Sequence, residues 1–186
     1  MTGTNVGCLV LAAGSSKRVG SDKRLSGFGD KFLLQHVLAN IPDGFCEKLV
    51  VLSDGDKSLS SLIGDDWQIV YAPESGKGMG YSLAAGLSVA RDWDAALVAL
   101  ADMPWVTAES YTAIRQQLGP DNLVVPKYKG KRGNPVGIGR QYFDRLSKAQ
   151  GDQGARALFR DDSVNLKTLA VDDPGILRDI DTPQDL

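Results

Sequence analysis

The chain has one histidine and two cysteines in 186 residues, and these scarcities exclude several chemistries at once. Cys8 and Cys46 stand far apart, with no CxxC pair and no Cys/His cluster. The sequence therefore holds neither the disulfide framework of a small secreted domain nor a zinc site. Isolated cysteines read as reduced thiols of a cytoplasmic protein. His36 falls within the apolar pattern Phe32-Leu33-Leu34-Gln35-His36-Val37-Leu38, which predicts a helix-surface position. That placement leaves no Ser/His/Asp or Cys/His catalytic constellation. No apolar stretch approaches the ~18 residues that span a bilayer. The opening MTGTN lacks a basic segment followed by a long apolar one. An excess of one charge is missing too: the net charge of -2 predicts no general affinity for nucleic acid or anionic membranes. Any basic function must be local.

What is present is an ordinary globular composition, 42% hydrophobic and 24% charged. The length suits one domain spanning residues 1–186. Val6-Gly7-Cys8-Leu9-Val10-Leu11 is an apolar run without alternation, as in a parallel strand covered on both faces. Ala12-Ala13-Gly14-Ser15-Ser16 follows, then Lys17, Arg18, Lys23 and Arg24, four cations within eight residues. Small residues let backbone approach a ligand closely, and successive N–H groups can form an anion-binding nest. This reads as a phosphate loop. It matches neither common nucleotide motif: GxGxxG is absent, and GxxxxGK[ST] fails at Val19.

Along the chain, apolar spacing predicts a first helix over Lys31–Asn40, stopped by Pro42, and strands over 48–53 and 67–71. A turn is expected at Asp54-Gly55-Asp56, with a short helix over 58–63. The glycine-rich stretch 72–82 reads as a loop entering a helix over 83–91, and Ala95–Leu100 as a fourth strand. Thr107 suits an N-cap for a helix reaching Leu118. Strands at 123–126 and 135–139 flank a basic turn, 127–133, that either grips an anion or is simply solvated. Helical segments at 141–148 and 153–159 and a late strand at 164–171 complete the pattern. Alternating strands and helices with short links predict an α/β fold: a mainly parallel sheet, helices on both faces, and at least one antiparallel strand.

In such sheets ligands sit beyond the carboxyl ends of the strands. Ala12–Lys23 follows strand one, Gly76–Ser82 strand three, and Asp102 strand four. A carboxylate at a strand end beside a cationic loop suits Mg²⁺, a hard cation that takes oxygen ligands and substrate phosphates. Asp179 and Asp181 form a D-x-D pair that shares one face if extended; it either completes a metal shell or lies in a solvated turn.

Six motifs then carry a resemblance: Leu11 to Gly20 with Lys23, Gly78-Met79-Gly80-x-Ser82, Ala101-Asp102-Met103-Pro104, Gly133-Asn134-Pro135-Val136, Gly151-Asp152-x-Gly154-Ala155-Arg156 and Asp179-Ile180-Asp181-Thr182-Pro183. In this order they resemble the MobA-like NTP transferases, and within them the molybdenum cofactor cytidylyltransferases. The resemblance implies a Rossmann-like nucleotidyltransferase fold and transfer of CMP from CTP to the terminal phosphate of molybdopterin, releasing pyrophosphate. Alternatives are a guanylyltransferase or sugar-phosphate nucleotidyltransferase of the same fold, or a non-catalytic nucleotide-binding protein. By position it assigns Leu11, Ala12, Ala13, Gly14, Ser15 and Ser16 to the nucleotide, with Arg18 and Lys23 on its phosphates as catalytic cations. Gly78, Gly80 and Ser82 fall in the loop lining base and ribose. Asp102 is the catalytic, nucleotide-side carboxylate and a metal ligand, and Asp181 is the second ligand, with Asp179 behind it. Ala13, where guanylyl-transferring relatives carry a second glycine, favours CTP over GTP. The implied cofactor is Mg²⁺; the implied partners are CTP or GTP, molybdopterin, and, transiently, a molybdoenzyme or its chaperone. Departures are Val19 for Met, Phe32 for Pro, Asn134 for the His common in cytidylyl-transferring members, and an end at Leu186 ahead of the usual last helical turns.

Overall fold

Val6–Leu11, buried at every position, forms β1 inside the sheet. The computed structural model describes residues 3–14, 23–28, 30–148 and 158–181, Lys23 through its backbone alone. After β1 come a small hairpin of β2 (Gly27–Phe28) and β3 (Lys31–Phe32), helix α1 (Leu33–Asn40) and β4 (Lys48–Leu52). A kinked 3-10 segment, Asp54–Leu62, leads to β5 (Gln68–Tyr71), α2 (Met79–Val89) and β6 (Ala95–Leu100). The chain continues through α3 (Ala108–Gln117), β7 (Leu123–Tyr128), β8 (Lys131–Arg132), β9 (Val136–Gly139), α4 (Phe143–Leu146) and β10 (Leu166–Ala170).

The main sheet has eight strands along the path β10-β7-β9-β6-β1-β4-β5, with β8 paired to β7. β1 lies parallel to both β4 and β6, and β4–β5 and β7–β10 are parallel as well. β9 runs antiparallel to β6 and β7, and β8 antiparallel to β7. The α/β class, the mainly parallel sheet and the antiparallel insertion follow the expectation from sequence. Side chains of β1 alternate between two apolar layers, which explains its unbroken hydrophobicity. Cys8 and Val10 pack with Leu34 and Val37 of α1 and Tyr111 and Ile114 of α3. Leu9 and Leu11 pack with Leu83 and Leu87 of α2 and Phe143 and Leu146 of α4. Helices thus cover both faces. Among the described residues no helix is long and apolar enough to cross a membrane.

Several boundaries differ from the sequence reading. The first helix begins at Leu33, because Lys31–Phe32 pairs with Gly27–Phe28 and Leu33 N–H donates to the Ser26 carbonyl. His36 does sit on this helix, half-buried, with Phe28 edge-on to its ring at 4.8 Å. The Asp54–Asp56 turn is absorbed into the 3-10 segment, which bends at Asp56. The expected helix at 141–148 narrows to a 3-10 turn, Arg140–Tyr142, followed by α4; the helix expected at 153–159 lies mostly outside the described residues. α3 is capped by Thr107, whose Oγ1 accepts from Ser110 N–H at 3.4 Å. Both cysteines are free thiols; Cys8 is fully buried, and burial pushes its pKa up, so it stays neutral.

Gly86 sets how closely α2 approaches β1. A Cβ there would lie 2.5 Å from Leu9 Cδ1, inside the fully buried layer. Gly86→Val is expected to destabilise the fold by about 3 kcal/mol, overpacking outweighing the small gain in helix propensity. Urea unfolding measures it; a variant within about 0.5 kcal/mol of wild type, well under the usual cost of overpacking, would contradict the packing.

Candidate active site

The connection out of β1 runs to β4 on one side, and β6 returns on the other, so β1 marks the switch point where open α/β sheets bind ligands. A cleft of about 380 Å³ opens there. Its lining includes Leu11, Ala12, Ala13 and Gly14 after β1, Gly78, Met79 and Ser82 at the start of α2, and Ala101 and Asp102 after β6. Ala12 N–H donates to the Val51 carbonyl and Ala101 N–H to that of Leu11, so regular backbone pairing carries both strand ends to the cleft floor.

α2 starts four residues earlier than its apolar pattern suggests. Gly78 occupies the N-cap with φ 136° and ψ 162°, a conformation that favours glycine, and its carbonyl accepts from Tyr81 N–H. Gly80 and Ser82, expected in a loop, are therefore in the first turn of the helix. Ser82 lines the cleft, whereas Gly80 is buried outside the lining. This helix end carries no acidic residue in its first turn and opens onto the cleft, an arrangement that favours an anionic ligand group. Lys77 also lines the cleft; its hydrogen bond to Glu74 and that carboxylate's charge raise its pKa, so it remains a cation.

Asp102 is half-buried on the cleft wall, with one carboxylate oxygen fully covered. Its own carbonyl accepts from Ile180 N–H at 2.8 Å. That bond brings the C-terminal segment to Asp102. Ile180 is buried while Asp179 and Asp181 are exposed on either side of it, as in an extended segment with both carboxylates on its outer face. The backbones at Asp102 and Ile180 thus meet although distant in sequence, while Asp179 and Asp181 are not among the residues that line the cleft.

Arg24 requires a correction. Read from sequence as one of the phosphate-loop cations, it is buried, and its guanidinium makes a two-point pair with Asp56 at 2.6 and 2.8 Å. It also donates to the Ala12 carbonyl, and Ser53 Oγ donates to Asp56 Oδ2 at 2.5 Å. Burial by itself would raise the Asp56 pKa; the hydrogen bonds from Arg24 and Ser53 and the nearby positive charge outweigh it, and the carboxyl is held below its ordinary value. Arg24 braces the loop backbone at the cleft edge. Ser15, Ser16 and Arg18 lie outside the described residues, as does the side chain of Lys23. Among the lining residues, Ser75 and Leu100 were not assigned to the site from sequence, and Gly76, Lys77 and Met79 only as part of the Gly76–Ser82 stretch. All but Leu100 fall in or beside the glycine-rich stretch, whose spacing was the available signal.

Comparison with known proteins decides the family. The model of the MobA-like NTP transferase domain matches residues 8–168. The chain is a MobA-like NTP transferase. Its relatives include the purine catabolism protein PucB of Bacillus subtilis (strain 168), 25% identical over 187 residues that cover 94% of this chain and 91% of PucB. A solved homologue of Mycobacterium tuberculosis Rv0371c, from Mycobacterium sp. strain JC1, superposes with a TM-score of 0.86 at 28% identity, covering 97% of this chain and 92% of that one. Rv0371c of M. tuberculosis H37Rv, solved in complex with manganese, shares the fold with a TM-score of 0.79 at 24% identity, over 98% of this chain and 96% of its own. As a MobA-like NTP transferase, the protein belongs among the nucleotidyltransferases, and the cleft at the β1/β6 edge is its candidate active site.

Proposed function

We propose that the protein transfers CMP from CTP to the terminal phosphate of molybdopterin and releases pyrophosphate, with Mg²⁺ as the resident cation. The observation that carries this reading is the convergence of Ala12–Gly14, the open N-terminus of α2, and Asp102 on one cleft. The donor set suits a hard cation. Asp102 and Asp181 offer two carboxylates, oxygen donors of the kind a hard cation takes. Mg²⁺ matches such a sparse set, since it is typically bound by one or two carboxylates plus phosphates and water. Asp102 and Asp181 would hold such a cation, which would orient the α-phosphate and offset its charge.

The chain's own residues do the rest. Ala12, Ala13 and Gly14 admit the nucleotide close to backbone, and the start of α2 at Gly78 and Ser82 faces a polar part of it. Ala13, which stands where guanylyl-transferring relatives carry a second glycine, supports CTP. An oxygen of the acceptor phosphate attacks the α-phosphorus; the bond to the oxygen bridging α and β breaks, and its electron pair leaves with pyrophosphate. Arg18 and Lys23 hold that leaving group. Positioning and charge stabilisation supply most of the acceleration in such transfers. The product then passes to a molybdoenzyme or its chaperone in a transient contact.

The test is pyrophosphate release from CTP, GTP, ATP and UTP with molybdopterin, run with Mg²⁺ and again with Mn²⁺. Release with CTP alone is expected. Preference for GTP overturns the reading of Ala13, silence despite CTP binding points to another phosphorylated acceptor or to a non-catalytic nucleotide-binding role, and silence without binding overturns the nucleotide assignment.

A further inference from the structure

We propose that Trp105 and Arg178 are positioning residues for the metal site: their stack aims the Asp181 carboxylate at Asp102 and thereby sets divalent-cation affinity. The inference rests on the reading of Asp102 and Asp181 as the metal pair.

Residues 173–181 form a strap along the loop that follows β6, and contacts fasten it at successive points. Asp173 is buried; its Oδ2 accepts from Thr107 N–H at 3.0 Å and from Ser110 Oγ–H at 2.7 Å, and its Oδ1 from Gly175 N–H at 2.8 Å. Gly175 lies so close that a Cβ would sit 2.1 Å from the Trp105 carbonyl oxygen. On the opposite side Asn134 N–H donates to the Ile176 carbonyl at 2.9 Å. These contacts anchor the strap upstream of Leu177. They leave open the direction in which the chain leaves the turn.

That direction is set at Arg178. The 3-10 turn Pro174–Leu177 ends there in extended backbone, φ -115° and ψ 111°. In extended chain, alternate residues share a face. Arg178 and Ile180 therefore share one face, the first stacked on Trp105 at the surface and the second buried in the core, while Asp179 and Asp181 lie on the other. The Arg178 guanidinium lies 3.9 Å from the Trp105 ring centroid. The ring is itself braced edge-on by Phe28 at 5.6 Å, which in turn packs against His36. Arg178 is exposed, so neither core packing nor an ion pair among the described residues calls for it at this position. Stacking on Trp105 is the contact it makes, two residues from the buried Ile180 that bonds the Asp102 carbonyl. Groups that orient metal ligands from outside the coordination sphere typically change metal affinity 10–100-fold when removed.

The experiment titrates the purified protein with Mn²⁺ alone, reading free Mn²⁺ by electron paramagnetic resonance, with thermal melts of each variant alongside. Arg178→Ala and Trp105→Ala are each expected to weaken Mn²⁺ binding about tenfold. Trp105→Phe keeps a ring under the guanidinium and is expected to stay close to wild type. Asp102→Asn and Asp181→Asn serve as ligand-loss references. If both references lose Mn²⁺ while Arg178→Ala binds it like wild type, the positioning role is overturned and the metal pair stands. A Trp105→Phe variant as weak as Trp105→Ala also overturns it. If both references bind Mn²⁺ like wild type, the metal pair itself is wrong and the inference falls with it.

Discussion

Asp102→Asn is expected to lower the rate of pyrophosphate release at least a hundredfold while the fold melts near the wild-type temperature. Asp102 lies on the cleft wall after the end of β6, where the backbone bond from Ile180 brings in the C-terminal segment. Replacing the carboxylate by an amide keeps its size and removes its charge, so a change in rate reports the charge. Loss of one group that stabilises transition-state charge typically costs about 3–4 kcal/mol, or 10²–10³ in turnover. The measurement is initial pyrophosphate release at saturating nucleotide and cation, paired with circular dichroism. Turnover within a few-fold of wild type would remove Asp102 from the catalytic machinery.

Asp56→Ala is expected to destabilise the protein by about 3 kcal/mol. The substitution takes a two-point carboxylate away from a guanidinium that is buried with 6% exposure. Breaking a buried pair from one side costs about 3–5 kcal/mol, because the remaining charge stays desolvated; the bond from Arg24 to the Ala12 carbonyl survives and places the effect at the lower end. Denaturant unfolding at neutral pH measures it, and a loss under about 1 kcal/mol, well below the cost of breaking a buried pair, would refute the structural role of the pair. A pH series adds a second check. The Asp56 pKa is lowered in the folded protein, so its stabilising contribution is present above the carboxyl's ordinary value of 3.8 and is lost as pH falls through the folded value. The stability gap between wild type and Asp56→Ala should therefore hold near neutrality and close in strong acid. The same pair braces Ala12 at the cleft, so the variant should also bind nucleotide more weakly.

Where sequence and structure agree, the signal was local. β1 and β6 could be bounded residue by residue, since each is a short apolar run ended by small or polar residues; β1 proved buried throughout and β6 at every position but Leu100. Thr107 announced its helix by composition and caps it through its hydroxyl. The start of α2 was misread because Gly78-Met79-Gly80 looks like flexible loop; the buried surroundings of Gly80 and Ser82 hold it as helix against the low intrinsic propensity of glycine. The hairpin of β2 and β3 was missed because two-residue strands leave no periodicity to read.

The sequence by itself determined the α/β class, the order of its longer strands along the chain, and the short list of residue types able to do nucleotidyl transfer. Strand burial and helical spacing are imprinted on near neighbours, and the motifs are contiguous. Tertiary structure alone decided the partners of the charged groups. Arg24 follows the other loop cations in sequence, yet it is committed to Asp56, and the segment around Ile180 is carried to the Asp102 backbone by a strap fastened through Asp173. The solvation and partner of a charge depend on what folds against it, and those neighbours come from distant parts of the chain.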